Sequence, residues 1–281
     1  MVKRAFISVD LEGLPHIVHR AQLSHDRPLW SEGRKIATAF VSEASKTLLE
    51  NGFDEVVVAD SHGEMLNVDP FELPNGTILV RGYPRLKSMI SGAEGSSVAF
   101  FIGYHAGFGT KNATFDHTYS GSAIHKVEIN KVLCSEFLIN ALALSEMGIP
   151  VGLVAGDSAL EPEVRKFTPW SIFVPLKRSI GRYASLSPSM VTLIEEIRKA
   201  SKEAAEAAKR GELRIIALEK PVTLDVTFQN TSYADVAEYL PWAKRIDGLT
   251  VEFVVENALS ALSLIELLAI ASAGVRSMSS P

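Results

Sequence analysis

The chain has 281 residues, 47% of them apolar and 22% charged, with a formal net charge of -5. That length allows one large domain or two modest ones, and the apolar share can form a core without staples. A negative balance with no basic stripe argues against a nucleic-acid partner, and the single cysteine, Cys134, excludes an intrachain disulfide, as fits a reducing cytoplasm. Met1-Val2-Lys3-Arg4 has the charge of a secretory leader, but the apolar run behind it ends at Asp10, so no leader is expected. No run is expected to reach the roughly 18 apolar residues of a membrane span, because Glu266 interrupts the Leu- and Ala-rich stretch 258–273. No membrane partner is expected.

Residues 5–9 read as a first strand. Residues 31–50 carry Ile36, Phe40, Val41, Leu48 and Leu49 at helical spacing, and Asn51-Gly52 supplies a stop. Residues 55–59, 77–81 and 98–103 are further strands, continuously apolar as parallel strands covered on both faces are. A short strand over 127–129 precedes an Asn130-Lys131 turn. A helix over 135–147 closes at Gly148 and Pro150, and 151–155 is another buried strand. Beyond Gly156 the spacing predicts a helix over 187–209, with Ser187 as its cap and Pro188 at its first position. Strands over 222–228 and 250–256 and helices over 231–240 and 258–273 complete the chain. Strand–helix alternation gives the α/β class: a mainly parallel sheet with helices on both faces, plus a smaller C-terminal α/β portion. A boundary is expected near Ser185. It divides residues 1–185, which hold the candidate metal-binding and catalytic groups, from 186–281, which can belong to the same domain.

Three strands run into groups that can ligate a metal: Asp10-Leu11-Glu12, Asp60-Ser61-His62 and Tyr104-His105. Open α/β sheets bind ligands at the carboxyl ends of strands, so three neighbouring strands would deliver these groups to one crevice. Carboxylate plus imidazole suits divalent zinc and related ions. Asp10 and Glu12, two apart on an extended segment, face one side, and a dication removes the repulsion of burying both. Asp10 is the choice to bridge two metals. The alternative is that both carboxylates cap a helix or pair with Arg34 or Lys35. His62 or His105 taken singly would be a core or turn histidine; their shared place after strands favours ligation. Asp60 is expected behind the ligands, orienting a histidine or its loop. Glu136 lies in the first turn of a helix, whose dipole favours its ionised form, and Asn140 shares its face. Spacing alone does not separate Glu136 from an ordinary first-turn Glu. His117, in the loop 114–118, is a natural acid/base group near a metal, although sequence alone favours a surface loop histidine. Gly103, Gly107 and Gly109 lack the lysine of a phosphate loop. His16, His19 and His25 fall in a polar loop that could line an entrance, and Cys134 has no paired base.

Ser8-Val9-Asp10-Leu11-Glu12-Gly13, Asp60-Ser61-His62, Gly103-Tyr104-His105-Ala106 and Ala155-Gly156-Asp157 together resemble the zinc-dependent D-aminopeptidase family. The resemblance spans most of the chain and is strongest over 7–157. It implies two zinc ions per subunit on Asp10, Glu12, His62, His105 and Glu136, with His117 as the catalytic histidine. It implies attack by activated water, His117 moving a proton or itself acting as nucleophile. It also implies a cytoplasmic enzyme for short peptides with a free amino end, D-residues preferred, assembled as a homodecamer of two pentameric rings. The loop 14–30 departs from the family with Pro15, His16 and His19, and the C-terminal part matches only in pattern. Other readings are a metal-dependent amidase or esterase of other small substrates, and a non-catalytic ring-forming metal-binding protein. Excess oxygen ligands, a separate His117 and no cysteine-rich shell favour the enzyme.

Overall fold

A computed structural model describes residues 3–279; Met1, Val2, Ser280 and Pro281 lie outside it. Apolar β-branched runs form the central strands, β1 (Arg4–Val9), β2 (Glu55–Asp60), β3 (Thr77–Val80), β4 (Ser96–Tyr104), β7 (Val151–Asp157) and β8 (Ile172–Gly181). With β9 (Ala184–Leu186) they make a seven-stranded sheet in the order β3-β2-β1-β4-β7-β8-β9. All neighbours are parallel except β8 and β9. A second, antiparallel sheet has the order β11-β12-β10-β5-β6, built from β5 (Ile124–Ile129), β6 (Val132–Leu133), β10 (Val222–Phe228), β11 (Lys244–Arg245) and β12 (Thr250–Val255).

The period of two in the strands sorts their side chains into two cores. Ala5, Ile7 and Val9 of β1 pack with Val56, Val58, Phe100 and Ile102 under α1 (Trp30–Glu50) and α4 (Met190–Lys209). Phe6, Val57 and Phe101 point the other way, toward α2 (Glu136–Glu146), α6 (Ala258–Ser279) and the inner face of the second sheet. The chain is thus α/β, with a mainly parallel sheet covered on both faces. The expected boundary near Ser185 falls inside β9, and the second sheet takes β5 and β6 from one side of it and β10 to β12 from the other. Helix α4, assigned to the C-terminal portion, packs on α1 and the first sheet instead.

Other expectations shift locally. Helix α4 starts at Met190, capped by Ser189 Oγ accepting from the Thr192 amide, because Pro188 biases its predecessor, Ser187, toward extended backbone. Strand β8 and the short helix α3 (Glu161–Phe167) were not expected at all. Helix α5 (Thr231–Ala237) stops early, while α6 runs to Ser279. Contrary to the composition reading, α6 is long and apolar enough to cross a membrane by length and composition, and half of that stretch is buried against the rest of the protein.

The ends of β1 and β4 press together without side chains between them. The Asp10 amide donates to the Ile102 carbonyl at 2.8 Å and Gly13 to the Gly103 carbonyl at 2.7 Å. A Cβ on Gly13 would stand 1.9 Å from the Tyr104 carbonyl oxygen. Gly13→Ala is therefore expected to lower unfolding free energy by about 1–3 kcal/mol or more, as overpacking does. Gly181→Ala, with nothing within 4 Å of its new methyl, is expected to change it by less than about 0.5 kcal/mol in the same urea titration.

Candidate metal centre

The strand order 3-2-1-4 reverses direction between β1 and β4, the place where open α/β sheets open a crevice. Asp10 and Glu12 follow β1, His62 follows β2 and His105 follows β4, and these three strands are direct neighbours. The structure brings all four side chains together with Glu136 and His117. One carboxylate stands at the junction: Asp10 Oδ1 lies 3.2 Å from His62 Nδ1, and Asp10 Oδ2 lies 3.5 Å from His105 Nε2. His62 Nδ1 is also 2.7 Å from Glu12 Oε2, and His105 Nε2 is 3.6 Å from Glu136 Oε2. The cluster therefore has two halves, Glu12 with His62 and Glu136 with His105, joined by Asp10.

The far nitrogen of each histidine is held by a backbone acceptor. His62 Nε2 donates to the Leu23 carbonyl at 2.7 Å, and His105 Nδ1 to the Ala106 carbonyl at 3.0 Å. The nitrogens facing the carboxylates are thereby the lone-pair sites of neutral rings. Asp10 Oδ2, Glu12 Oε2 and His105 Nε2 are buried without a hydrogen-bond partner. Converging lone pairs of this kind require either extra protons or a cation. Without a cation the protons are forced in. Burial, and then the neighbouring Glu12, push the Asp10 carboxyl up to about 8. Burial opposes charge on His105, but Glu136, Asp10 and Glu12 together outweigh it and raise the imidazole to about 10. Glu12 and Glu136, although buried, are held below their usual range by His62 and His105 respectively. A divalent cation would replace those protons, and the oxygen and nitrogen donors present fit one. Among the described residues, two sets each bring one ligand atom per residue within 4.8 Å of one another: Asp10, Glu12 and His105, and His105, His117 and Glu136.

Glu136 owes its place to the start of α2. Ser135, just before it, is held through its amide and hydroxyl by Glu163 of α3, and Glu136 Oε1 accepts the Tyr119 amide at 2.6 Å. The His117 ring stacks on His105 with centroids 4.6 Å apart. Its Nδ1 is tied to the Phe115 carbonyl at 2.6 Å, leaving Nε2 3.7 Å from Glu136 Oε1. The loop bearing His117 is tied down on both sides of the histidine. Thr114 is bound by Asp157, and Asp116 by Arg182.

Asp60 touches neither histidine ring. It accepts from the Asn67 amide and side chain and from the Val68 amide, and Asn67 in turn donates to the His62 carbonyl at 2.9 Å. It therefore shapes the loop that carries His62. Asn140 accepts from the Tyr119 hydroxyl at 2.8 Å and donates to the Tyr104 hydroxyl at 3.1 Å, so it supports the wall beside Glu136 without touching it. His16, His19 and His25 do not line the cleft that holds the cluster; His25 pairs with Glu64, and His19 caps a turn. Cys134 is buried away from any base, and burial raises its thiol.

Three contributors carried no sequence signal. Lys177 of β8 is buried with its Nζ donating to the Glu12 and Ile17 carbonyls, which sets the backbone of the Asp10–Glu12 turn. Burial lowers its ammonium to about 8. Tyr119 supplies an amide to Glu136 from a residue with φ of 60°, a position sequence does not mark. Glu266 of α6 lines the same cleft, of about 230 Å³, together with Asp10, Glu12, His62, His117 and Glu136.

The family model described as D-aminopeptidase matches residues 3–267. The chain is 26% identical over 263 residues to the D-aminopeptidase of Bacillus subtilis (strain 168), covering 92% of this chain and 93% of that one. Among solved structures it resembles the Zn-dependent D-aminopeptidase DppA from Bacillus subtilis, a self-compartmentalizing protease. The TM-score is 0.91 at 23% identity, over 96% of this chain and 98% of that chain. A family match of that extent shows that this chain belongs to the D-aminopeptidase family of peptide-bond hydrolases.

Proposed function

We propose that the chain is a dinuclear zinc aminopeptidase for short peptides and aminoacyl amides with a free amino end, preferring a D-residue there. The observation that carries this reading is the junction at Asp10. Its two oxygens face two histidines, each with a second carboxylate, and Asp10 Oδ2, Glu12 Oε2 and His105 Nε2 lack hydrogen-bond partners. Asp10 would serve both ions, with Glu12 and His62 on one side and His105 and Glu136 on the other. The D-aminopeptidase relatives, one of them Zn-dependent, support the choice of metal and substrate. Two zinc ions held there would polarise a carbonyl and make water a competent nucleophile near neutral pH. The chain does the positioning. Leu23 and Ala106 hold the outer nitrogens of His62 and His105, so each ring presents one nitrogen inward. The Tyr119 amide and the start of α2 keep Glu136 ionised. With Nδ1 tied to Phe115, His117 has Nε2 available to carry a proton to the leaving amine.

Metal analysis and a panel of D- and L-aminoacyl amides and dipeptides test the reading together. About two zinc ions per chain and faster cleavage behind D-residues are expected. A single ion per chain, or preferred cleavage of amine-blocked amides or esters, overturns it. His117→Ala is expected to keep the fold and both ions while turnover falls roughly 10²–10⁴-fold. Near-normal turnover with full metal would remove His117 from catalysis, and loss of metal would move it among the ligands.

The assembly we propose is a homodecamer of two stacked pentameric rings. The outer side of α6 supports self-association: Leu267, Ile270 and Met278 are 47%, 38% and 80% exposed on an otherwise apolar helix. The self-compartmentalizing relative supports the enclosed arrangement. Sedimentation at micromolar concentration is expected to give a single decameric species, and a monomer there counts against the assembly.

A further inference from the structure

An aminopeptidase has to recognise a protonated amine, and a protonated amine entering a small cleft needs acceptors. Four carboxylates line the cleft: Asp10, Glu12, Glu136 and Glu266. The first three each lie within 4 Å of a histidine of the cluster. Glu266 has no such partner. Among the described residues no lysine, arginine or histidine lies within ion-pairing distance of it. The nearby Arg85 guanidinium donates through its two terminal nitrogens to the Val80 and Asp60 carbonyls and acts on Glu266 only at a distance.

Glu266 is nevertheless buried, 6% exposed, on a helix that is otherwise apolar at this point. Its Oε2 accepts from Ser88 Oγ at 2.7 Å, and its Oε1 is buried without a partner. Burial raises its carboxyl, and Ser88, the Tyr83 hydroxyl beside it and Arg85 act to keep it charged. A buried carboxylate oxygen with no donor is costly to the fold, and native proteins keep few of them. Here the unsatisfied oxygen belongs to a residue that lines the cleft of the metal cluster. The cleft volume of about 230 Å³ is below the range of roughly 300–1,000 Å³ usual for small-molecule pockets, which fits one terminal residue better than a long chain.

We infer that Glu266 binds the free amino end of the substrate, its carboxylate receiving the ammonium while Ser88 holds it in place. The inference rests on the aminopeptidase reading above. It makes α6 part of the specificity site and accounts for a glutamate in the middle of an apolar helix. The ammonium of a peptide, with an ordinary pKa near 8, is charged at neutral pH, so the partner it needs is an anion at this place. The amine end then lies toward α6, and the scissile carbonyl toward Asp10 and His117.

The test uses the zinc-loaded full chain with D-alanine p-nitroanilide and its propionyl analogue, which lacks only the amine. Glu266→Gln keeps the volume and the Ser88 contact but removes the charge. It is expected to raise KM for the amine-bearing substrate about 10- to 100-fold, with a smaller change in kcat. It should shrink the preference over the propionyl analogue by the same factor, with melting temperature and zinc content unchanged. If the Gln variant does not fold, Glu266→Asp, which keeps charge but withdraws it, is expected to raise KM for the amine-bearing substrate alone. Wild-type KM and preference in a folded, zinc-loaded Gln variant would overturn the role, as would a loss confined to kcat. Wild-type protein with full metal that cleaves neither substrate would instead overturn the aminopeptidase reading, and this role with it.

Discussion

Asp10 sits where two histidines and two further carboxylates converge in a place almost free of solvent, and the surrounding architecture follows from making that convergence tolerable. Like charges at such distances in a dry site cannot all remain ionised without a compensating cation. The parallel sheet brings the groups together, because the ends of β2, β1 and β4 lie side by side at the point where strand order reverses. Close backbone contact between Gly13 and Tyr104 removes the space that side chains would otherwise hold between the strand ends. The buried Lys177 ammonium then fixes the Asp10–Glu12 turn through carbonyls rather than through the carboxylates, so the ligand oxygens stay available.

The same logic explains the supporting polar network. Asp60, Asn67, Asn140, Tyr104, Tyr119 and Asp157 all spend their hydrogen bonds on loops and on each other. Each loop that carries a cluster residue is bound to a neighbouring element by at least one such buried contact. A site built on loops gains from strands and helices beneath it the precision that loops alone lack. Helix α6 lines the opposite wall through Glu266 and Ala269 and packs on the second sheet, which takes β5 from one side of Ser185 and β10 and β12 from the other.

Legibility in the sequence tracks the source of each signal. Asp10, Glu12, His62 and His105 were readable because a polar group directly after an apolar strand is a local pattern. The parallel sheet was readable for the same reason, from continuous runs such as Val56-Val57-Val58. Glu136 and His117 were not separable from ordinary first-turn and loop residues, since their meaning depends on α2 and the 105–120 loop folding back on β4. The family resemblance supplied them. Strand β8 escaped because Lys177, Arg178 and Pro175 break its apolar pattern, although Lys177 turns inward to bind backbone. Glu266 looked like an interruption of an apolar helix because nothing local tells a buried carboxylate from an exposed one. The length of α6 is hidden for the same reason, a single Glu being too little to shorten an apolar helix.

His62 takes its orientation from the Leu23 carbonyl, a main-chain atom in the irregular segment between β1 and α1. That dependence divides what related proteins are free to change from what they must keep. Exposed side chains such as Asp26 and Arg27 can be exchanged, because the interaction asks nothing of them, whereas buried Leu14, Ile17 and Gln22 keep the path of the segment. An insertion or deletion that displaces the backbone at Leu23 would instead release the imidazole to rotate. The path of this segment is therefore tied to the orientation of His62, while its exposed composition is open to divergence.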